Sequence, residues 1–265
     1  MFSVSNRKND IRLLAIDVGN TNVHFALFSG KTVQKTFRIK TPELNSRAIR
    51  QVARKIPLKS VEAAVIASVV PSAGNFLKEN LPKELNLKTY LIGKDLKAPV
   101  VNKYKKPGQV GIDRLVNAVA AFHRYPRSLI LVDFGTAITL DVVSQKGEYL
   151  GGIIAPGIEI SLEALFHKTA LLPKIRLKHP GNIIGKDTVE SIRVGCSVGI
   201  GGLCDRLIQR VKTRFRPKPL VIATGGYALF MKRYCQCIDL IDPFLTLKGI
   251  QISFAKSFAK KFLTK

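Results

Sequence analysis

Leu13-Leu14-Ala15-Ile16-Asp17-Val18-Gly19-Asn20-Thr21-Asn22 returns near the middle of the chain as Leu129-Ile130-Leu131-Val132-Asp133-Phe134-Gly135-Thr136-Ala137-Ile138-Thr139. In each copy an apolar run of the kind that forms a buried strand ends in an aspartate, followed by one spacer, a glycine and a small polar residue. The surroundings repeat as well. Residues 11–40 read as strand, Gly-Asn-Thr turn, strand (Val23–Phe28), Ser29-Gly30 turn and strand (Thr32–Ile39). Residues 129–154 read as strand, Asp-Phe-Gly-Thr turn, strand (Ile138–Val143), Gln145-Lys146-Gly147 turn and strand (Glu148–Ile154). A duplicated domain explains both the motif and its context. The chain therefore reads as two related halves, 1–112 and 113–265, and two such turns facing each other can hold one polyphosphate.

Between these hairpins the apolar spacing predicts a helix over Pro42–Lys55, a strand over Val61–Val70 and a helix over Ala73–Asn80. A strand over Thr89–Ile92 and a helix over Asp113–Tyr125 follow. In the second half, helices are expected from Ile158 to about His167 and from Thr188 to about Phe215, with a buried strand at Leu220–Ala223. Strands mixed with helices place the chain in the α/β class.

Composition narrows the function. At 265 residues with 46% hydrophobic content, each half has material for a core. No stretch approaches the roughly 18 unbroken apolar residues of a membrane span, and Met1–Arg12 is polar, without an export signal. The four cysteines (Cys196, Cys204, Cys235, Cys237) show no disulfide framework, so a reduced cytoplasmic protein is expected. A net charge of +25 invites an anionic partner. The basic residues are spread through nearly every segment, however, and no nucleic-acid-binding motif accompanies them.

Several residues carry candidate chemistry. Gly19 and Gly135 let the backbone approach a phosphate, and Thr21 and Thr136 can donate to its oxygens. Asp17 and Asp133, each at a strand end, can hold a cation that offsets phosphate charge. Gly111-Ile112-Asp113-Arg114 opens a helix. Asp113 there is either a helix cap or a general base, and Arg114 can receive an anionic group. Gly151-Gly152 to Pro156-Gly157 and Thr224-Gly225-Gly226 are glycine-rich segments compatible with a ligand lying on the backbone. Gly199, Gly201 and Gly202 are expected to serve close helix packing. Phe254, Phe258 and Phe262, four residues apart with lysines between, form a terminal amphipathic helix that touches an anionic membrane or docks on its own lobe.

Taken in order, these elements resemble type III pantothenate kinase over nearly the whole chain. The resemblance rests on Asp17–Asn22, Ser68–Pro71, Tyr104 with Pro107, Gly111–Arg114, Asp133–Ala137 with Thr139 and Asp141, Gly151-Gly152 with Pro156-Gly157, Leu172-Pro173, Thr188 and Thr224–Gly226. It implies an actin-like fold of two ribonuclease-H-like lobes and ATP-dependent phosphorylation of pantothenate, the first step of coenzyme A biosynthesis. It further implies that Asp17, Val18, Gly19, Asn20, Thr21, Asn22, Val23 and His24 hold Mg²⁺-ATP, with Thr136 on its phosphates. Asp133 would bind a monovalent cation, K⁺ or NH₄⁺, and Asp113 would take the proton of the pantothenate hydroxyl. Tyr104, Gly111, Ile112, Asp113, Arg114 and Thr188 would bind pantothenate, in a homodimer, with no specific nucleic acid and no membrane as partner. Asp187 stands where the family usually has Asn, which adds negative charge near a carboxylate substrate. Two other readings stay open: a phosphotransferase of the same fold with another small acceptor, and a basic accessory protein that binds nucleic acid.

Overall fold

The apolar runs become the central strands of two sheets. The structure, a computed structural model, describes residues 12–57 and 61–262. The first sheet contains β1 (Arg12–Val18), β2 (Asn22–Ser29), β3 (Thr32–Lys40), β4 (Ala63–Ser68) and β5 (Lys88–Leu91), in the order β3-β2-β1-β4-β5. The second contains β6 (Leu129–Phe134), β7 (Ala137–Val143), β8 (Tyr149–Pro156), β9 (Leu220–Thr224) and β10 (Leu240–Ile241), in the order β8-β7-β6-β9-β10. The two orders are the same. So are the pairings: the first three strands of each set run antiparallel, and the fourth lies parallel to the first. This is the duplicated α/β architecture expected from the two motifs.

Eight α-helices are found among the described residues: α1 (Ser46–Ala53), α2 (Pro71–Leu85), α3 (Ile112–Arg124), α4 (Ile158–Lys168), α5 (Thr188–Val194), α6 (Ile200–Lys212), α7 (Ala228–Met231) and α8 (Leu245–Phe262). α1 and α2 cover one face of the first sheet through Ile49, Val52, Leu77 and Leu81, which meet Ile16, Phe25 and Ile66. The opposite face packs Leu13, Ala15 and Phe28 against Val116 of α3 and Leu247, Ile250 and Phe254 of α8. Burial on both faces explains why β1 reads as a continuous apolar run with no alternation. Gly249 of α8 lies so close to the Val116 carbonyl of α3 that a Cβ there would collide with it.

Two compact units result. Among the described residues the first takes the chain up to Pro99, Gly108–Ala120 and the segment from Thr246 on, and the second takes Val100–Pro107 and Ala121–Leu245. This division differs from a single cut between 112 and 113. The first turns of α3 and most of α8 carry the apolar side chains that seal the first sheet. The loop at Val100–Pro107 instead joins β8, where Tyr149 N donates to Val101 O at 2.9 Å and Lys103 N donates to Tyr149 O at 2.8 Å. The C-terminal phenylalanines dock within their own unit: the Phe254 and Phe258 rings lie 4.5 Å apart and both contact Tyr90.

The expected long helix from Thr188 is interrupted. A five-residue π turn, Gly195–Gly199, separates α5 from α6. Gly195 and Gly199 face open space, so the wider turn meets no steric resistance there. Of the three glycines expected to allow close packing, only Gly201 does so, against the Tyr234 backbone; Gly199 and Gly202 meet nothing.

Candidate active site

In the first hairpin, Gly19 N donates to Asn22 O at 3.0 Å and closes the turn. A Cβ at Gly19 would lie 3.3 Å from that oxygen, tighter than an ordinary contact, so glycine suits the position. The end of β3 ties the turn down. Thr41 Oγ1 donates to Gly19 O at 2.7 Å, and Thr41 N donates to Thr21 O at 2.9 Å. Asp17 pairs with His24 on β2 and Ala67 on β4. Since Leu13 and Ala15 face α3 and α8, the two-residue period puts Asp17 on that same face. Val18 and Val23 are fully buried and can offer a ligand only their backbone. Burial, followed by the charge of Arg38, pushes the His24 pKa below 6.5.

The Gly111–Arg114 segment lies in the same unit. Asp113 occupies the first turn of α3, and its Oδ1 accepts from Arg114 N at 2.8 Å. A Cβ on Gly111 would run into that Oδ1, so this glycine makes room for the folded-back carboxylate. A carboxylate here is stabilised by the positive end of the helix dipole. Arg114 is 7% exposed, and Asn117, one turn further on, is 1% exposed. The one mark of Asn117 in the sequence is its place four residues after Asp113 on the same helix.

In the second unit Asp133 pairs with Thr139 on β7 and Thr224 on β9. Its Oδ1 occupies the space a Cβ of Gly225 would fill, and a Cβ of Gly135 would lie 3.3 Å from it. Gly225 also has φ +92°, a backbone conformation suited to glycine. The Thr136 carbonyl presses against Gly157, where any side chain would collide. Asp141, 1% exposed, accepts from Tyr149 Oη at 2.8 Å and from Thr139 Oγ1 at 3.2 Å. Its role was not legible from the motif alone.

Tyr104 belongs to this second unit: its ring lies against Gly151, with Cδ2 and Cε2 3.6 Å from where a Cβ would stand. Gly151 and Gly152 lie inside β8, with φ +132° at Gly151, so they form part of a strand and leave a flat seat for the Tyr104 ring. Thr188 is the first residue of α5 and lines a largely apolar hollow of about 650 Å³ with Ala164, Leu165 and Ile192. Asp187 caps that helix, its Oδ1 accepting from Glu190 N at 2.8 Å. Asp and Asn serve equally at this position, which explains why the chain tolerates the exchange locally.

The sequence-predicted residues thus divide into two sets. Asp17–His24 and Gly111–Arg114 lie in the first unit, and Tyr104, Asp133, Thr136 and Thr188 in the second. Among the described residues no cluster of three or more His, Cys, Asp or Glu side chains could hold a metal. A cation here would need oxygen ligands from a bound phosphate, from water or from the backbone. Asp17, at a strand end beside a phosphate-type turn, and Asp133, flanked by two glycines, both fit such a cation.

The model of the family described as type III pantothenate kinase matches residues 13–210. A type III pantothenate kinase of Moorella thermoacetica is 40% identical over 252 residues, covering 92% of this chain and 99% of that protein. Its counterpart in Desulforapulum autotrophicum is 43% identical over 249 residues, covering 91% and 95%. Among solved structures, a Campylobacter jejuni protein described as a Baf family transcriptional activator superposes with TM-score 0.58 at 22% identity, covering 92% of this chain and 98% of that one. An inorganic polyphosphate/ATP-glucomannokinase of Arthrobacter superposes with TM-score 0.51 at 17% identity, covering 93% and 99%. At those identities the two structures establish the shared fold.

Proposed function

We propose a function from one premise: the chain belongs to the type III pantothenate kinase family. It transfers a phosphoryl group from ATP to the hydroxyl of pantothenate, giving 4'-phosphopantothenate at the start of coenzyme A biosynthesis. The structural observation that supports this reading is the repeated hairpin. An Asp-x-Gly turn follows the central strand of each sheet, in the same topology.

Phosphoryl transfer requires alignment and charge neutralisation more than covalent chemistry from the protein. The backbone of Asp17–His24 and the Thr21 hydroxyl bind the nucleotide, and Thr136 contacts its phosphates. Asp17 holds the divalent ion, which supplies charge neutralisation at the phosphates when bound. Asp133, in its two-glycine cradle, holds the monovalent cation. Asp113 accepts the proton of the attacking hydroxyl from its place in the first turn of α3. Arg114 takes the anionic end of pantothenate, and Tyr104, Gly111, Ile112 and Thr188 are the other residues assigned to binding it. We place the protein in the cytoplasm as a homodimer. Leu171, Ile183 and Ile184 of the second unit are 90%, 66% and 76% exposed, apolar side chains that a second copy would cover if it docked there.

The test is release of ADP from purified protein with Mg²⁺-ATP, with and without pantothenate, in K⁺ and in Na⁺ buffer. Release that requires pantothenate and K⁺ supports the kinase and its cation site together. Release without pantothenate points to another acceptor, and no release from folded protein removes the kinase reading.

A further inference from the structure

The first sheet carries a polar row that runs from the nucleotide-binding segment onto β3. Asp17 on β1, His24 on β2 and Arg38 on β3 stand directly opposite one another, and Asn22 stands opposite Lys40 in the next row. Direct cross-strand partners share a face. The alternate β3 residues Phe37 and Ile39 pack into the core beneath α1 and α2, so Arg38 and Lys40 lie on the other face, with Asp17. The charge of Arg38 reaches His24, whose protonation it disfavours. Thr41, next after Lys40, is hydrogen-bonded to both Gly19 and Thr21, so this end of β3 is fixed to the turn.

Two cations stand beside a phosphate-type turn, with the Asp17 carboxylate two strands away in the same row and Glu43 three residues on from Lys40. Arg38 and Lys40 are exposed and take part in none of the ion pairs found among the described residues. From Lys31 to Lys55 the only acidic residue is Glu43.

We propose that Arg38, with Lys40 beside it, binds the phosphate chain of the donor nucleotide, extending the site beyond the hairpin. The inference rests on the reading of Asp17–His24 as the nucleotide-binding segment. Arg38 presents a planar fork suited to phosphate oxygens, and Lys40 acts as a point charge. Because these groups read phosphate and not base, they make affinity depend on the number of phosphates carried.

Titration calorimetry with Mg²⁺-ATP, ADP and AMP on the whole protein tests this. Arg38→Gln should weaken ATP about 10–100-fold, the effect of one charged hydrogen-bonded contact, with a much smaller change for AMP. Arg38→Lys should recover part of the loss. Lys35→Gln is the control, since Lys35 removes the same charge from the same strand but has the parity of Phe37, on the opposite face. Equal losses in Arg38→Gln and Lys35→Gln would reduce the effect to the general surface field and overturn the proposal, as would ATP binding by Arg38→Gln at wild-type strength. Folded wild-type protein that binds no nucleotide would instead sink the hairpin reading, and this inference with it.

Discussion

Tyr149 donates its hydroxyl hydrogen to Asp141 Oδ1 across 2.8 Å, in a part of the second sheet where both residues are 1% exposed or less. Thr139 serves the other carboxylate oxygen and stands opposite Asp133 in the sheet register. A buried carboxylate tolerates its desolvation only when donors surround it. Tyr149→Phe should therefore cost about 1–3 kcal/mol of stability. The measurement is a urea titration, where the midpoint falls and the slope stays unchanged. An unmoved midpoint would mean that this hydrogen bond contributes nothing net.

Asp113→Asn keeps the shape at the start of α3 and removes the base. Turnover should fall by about 10²–10⁴, while ATP affinity stays within a factor of about 2. Near-normal turnover would remove Asp113 from proton transfer.

Gly225→Ala forces a side chain into a backbone with φ +92° and into the space held by the Asp133 carboxylate. A loss of about 1–3 kcal/mol is expected from the backbone alone. If Asp133 binds the monovalent cation, the variant should also need more K⁺ for half-maximal activation. Unaltered K⁺ dependence in a folded variant would argue against Asp133 as that ligand.

His24 sets a pH dependence. Its folded pKa lies below the 6.5 of the free side chain, through burial first and Arg38 second. Between those two values the unfolded chain binds the proton and the folded chain does not. The associated stability is therefore present above about pH 6.5 and is lost as pH falls toward the folded pKa. Melting of wild type and His24→Gln at pH 7.5 and 5.5 checks this. Wild type should lose more on acidification, and equal losses would show that His24 is not responsible.

The central strands were legible because burial on both faces leaves its mark on composition, as in Leu13–Ile16 and Leu129–Val132. Helix α3 was legible through its amphipathic spacing, and Phe254 and Phe258 through their four-residue interval. The two-residue β10 and four-residue α7 escaped notice, since elements that short hold less than one full period. The π turn at Gly195–Gly199 escaped too, because it lies inside a segment whose apolar period is otherwise helical. At the site, Asp17, Asp113 and Asp133 were found from their glycine neighbours. The support given by Tyr149 to Asp141, and by Thr41 to the first turn, has no local signature.

The sequence by itself determined the duplication, the two aspartate turns and the acid at the head of α3. Each is a local pattern, set by which residues can end a strand, approach a phosphate or begin a helix. Only the tertiary structure decided which parts of the chain complete each unit. α8 returns from the far end of the sequence to seal the first sheet, and Val100–Pro107 crosses to β8. It also decided that Arg38 shares a face with Asp17, a relation created by strand pairing across residues distant in sequence. Such relations depend on which apolar surfaces find one another, and that is a property of the whole chain.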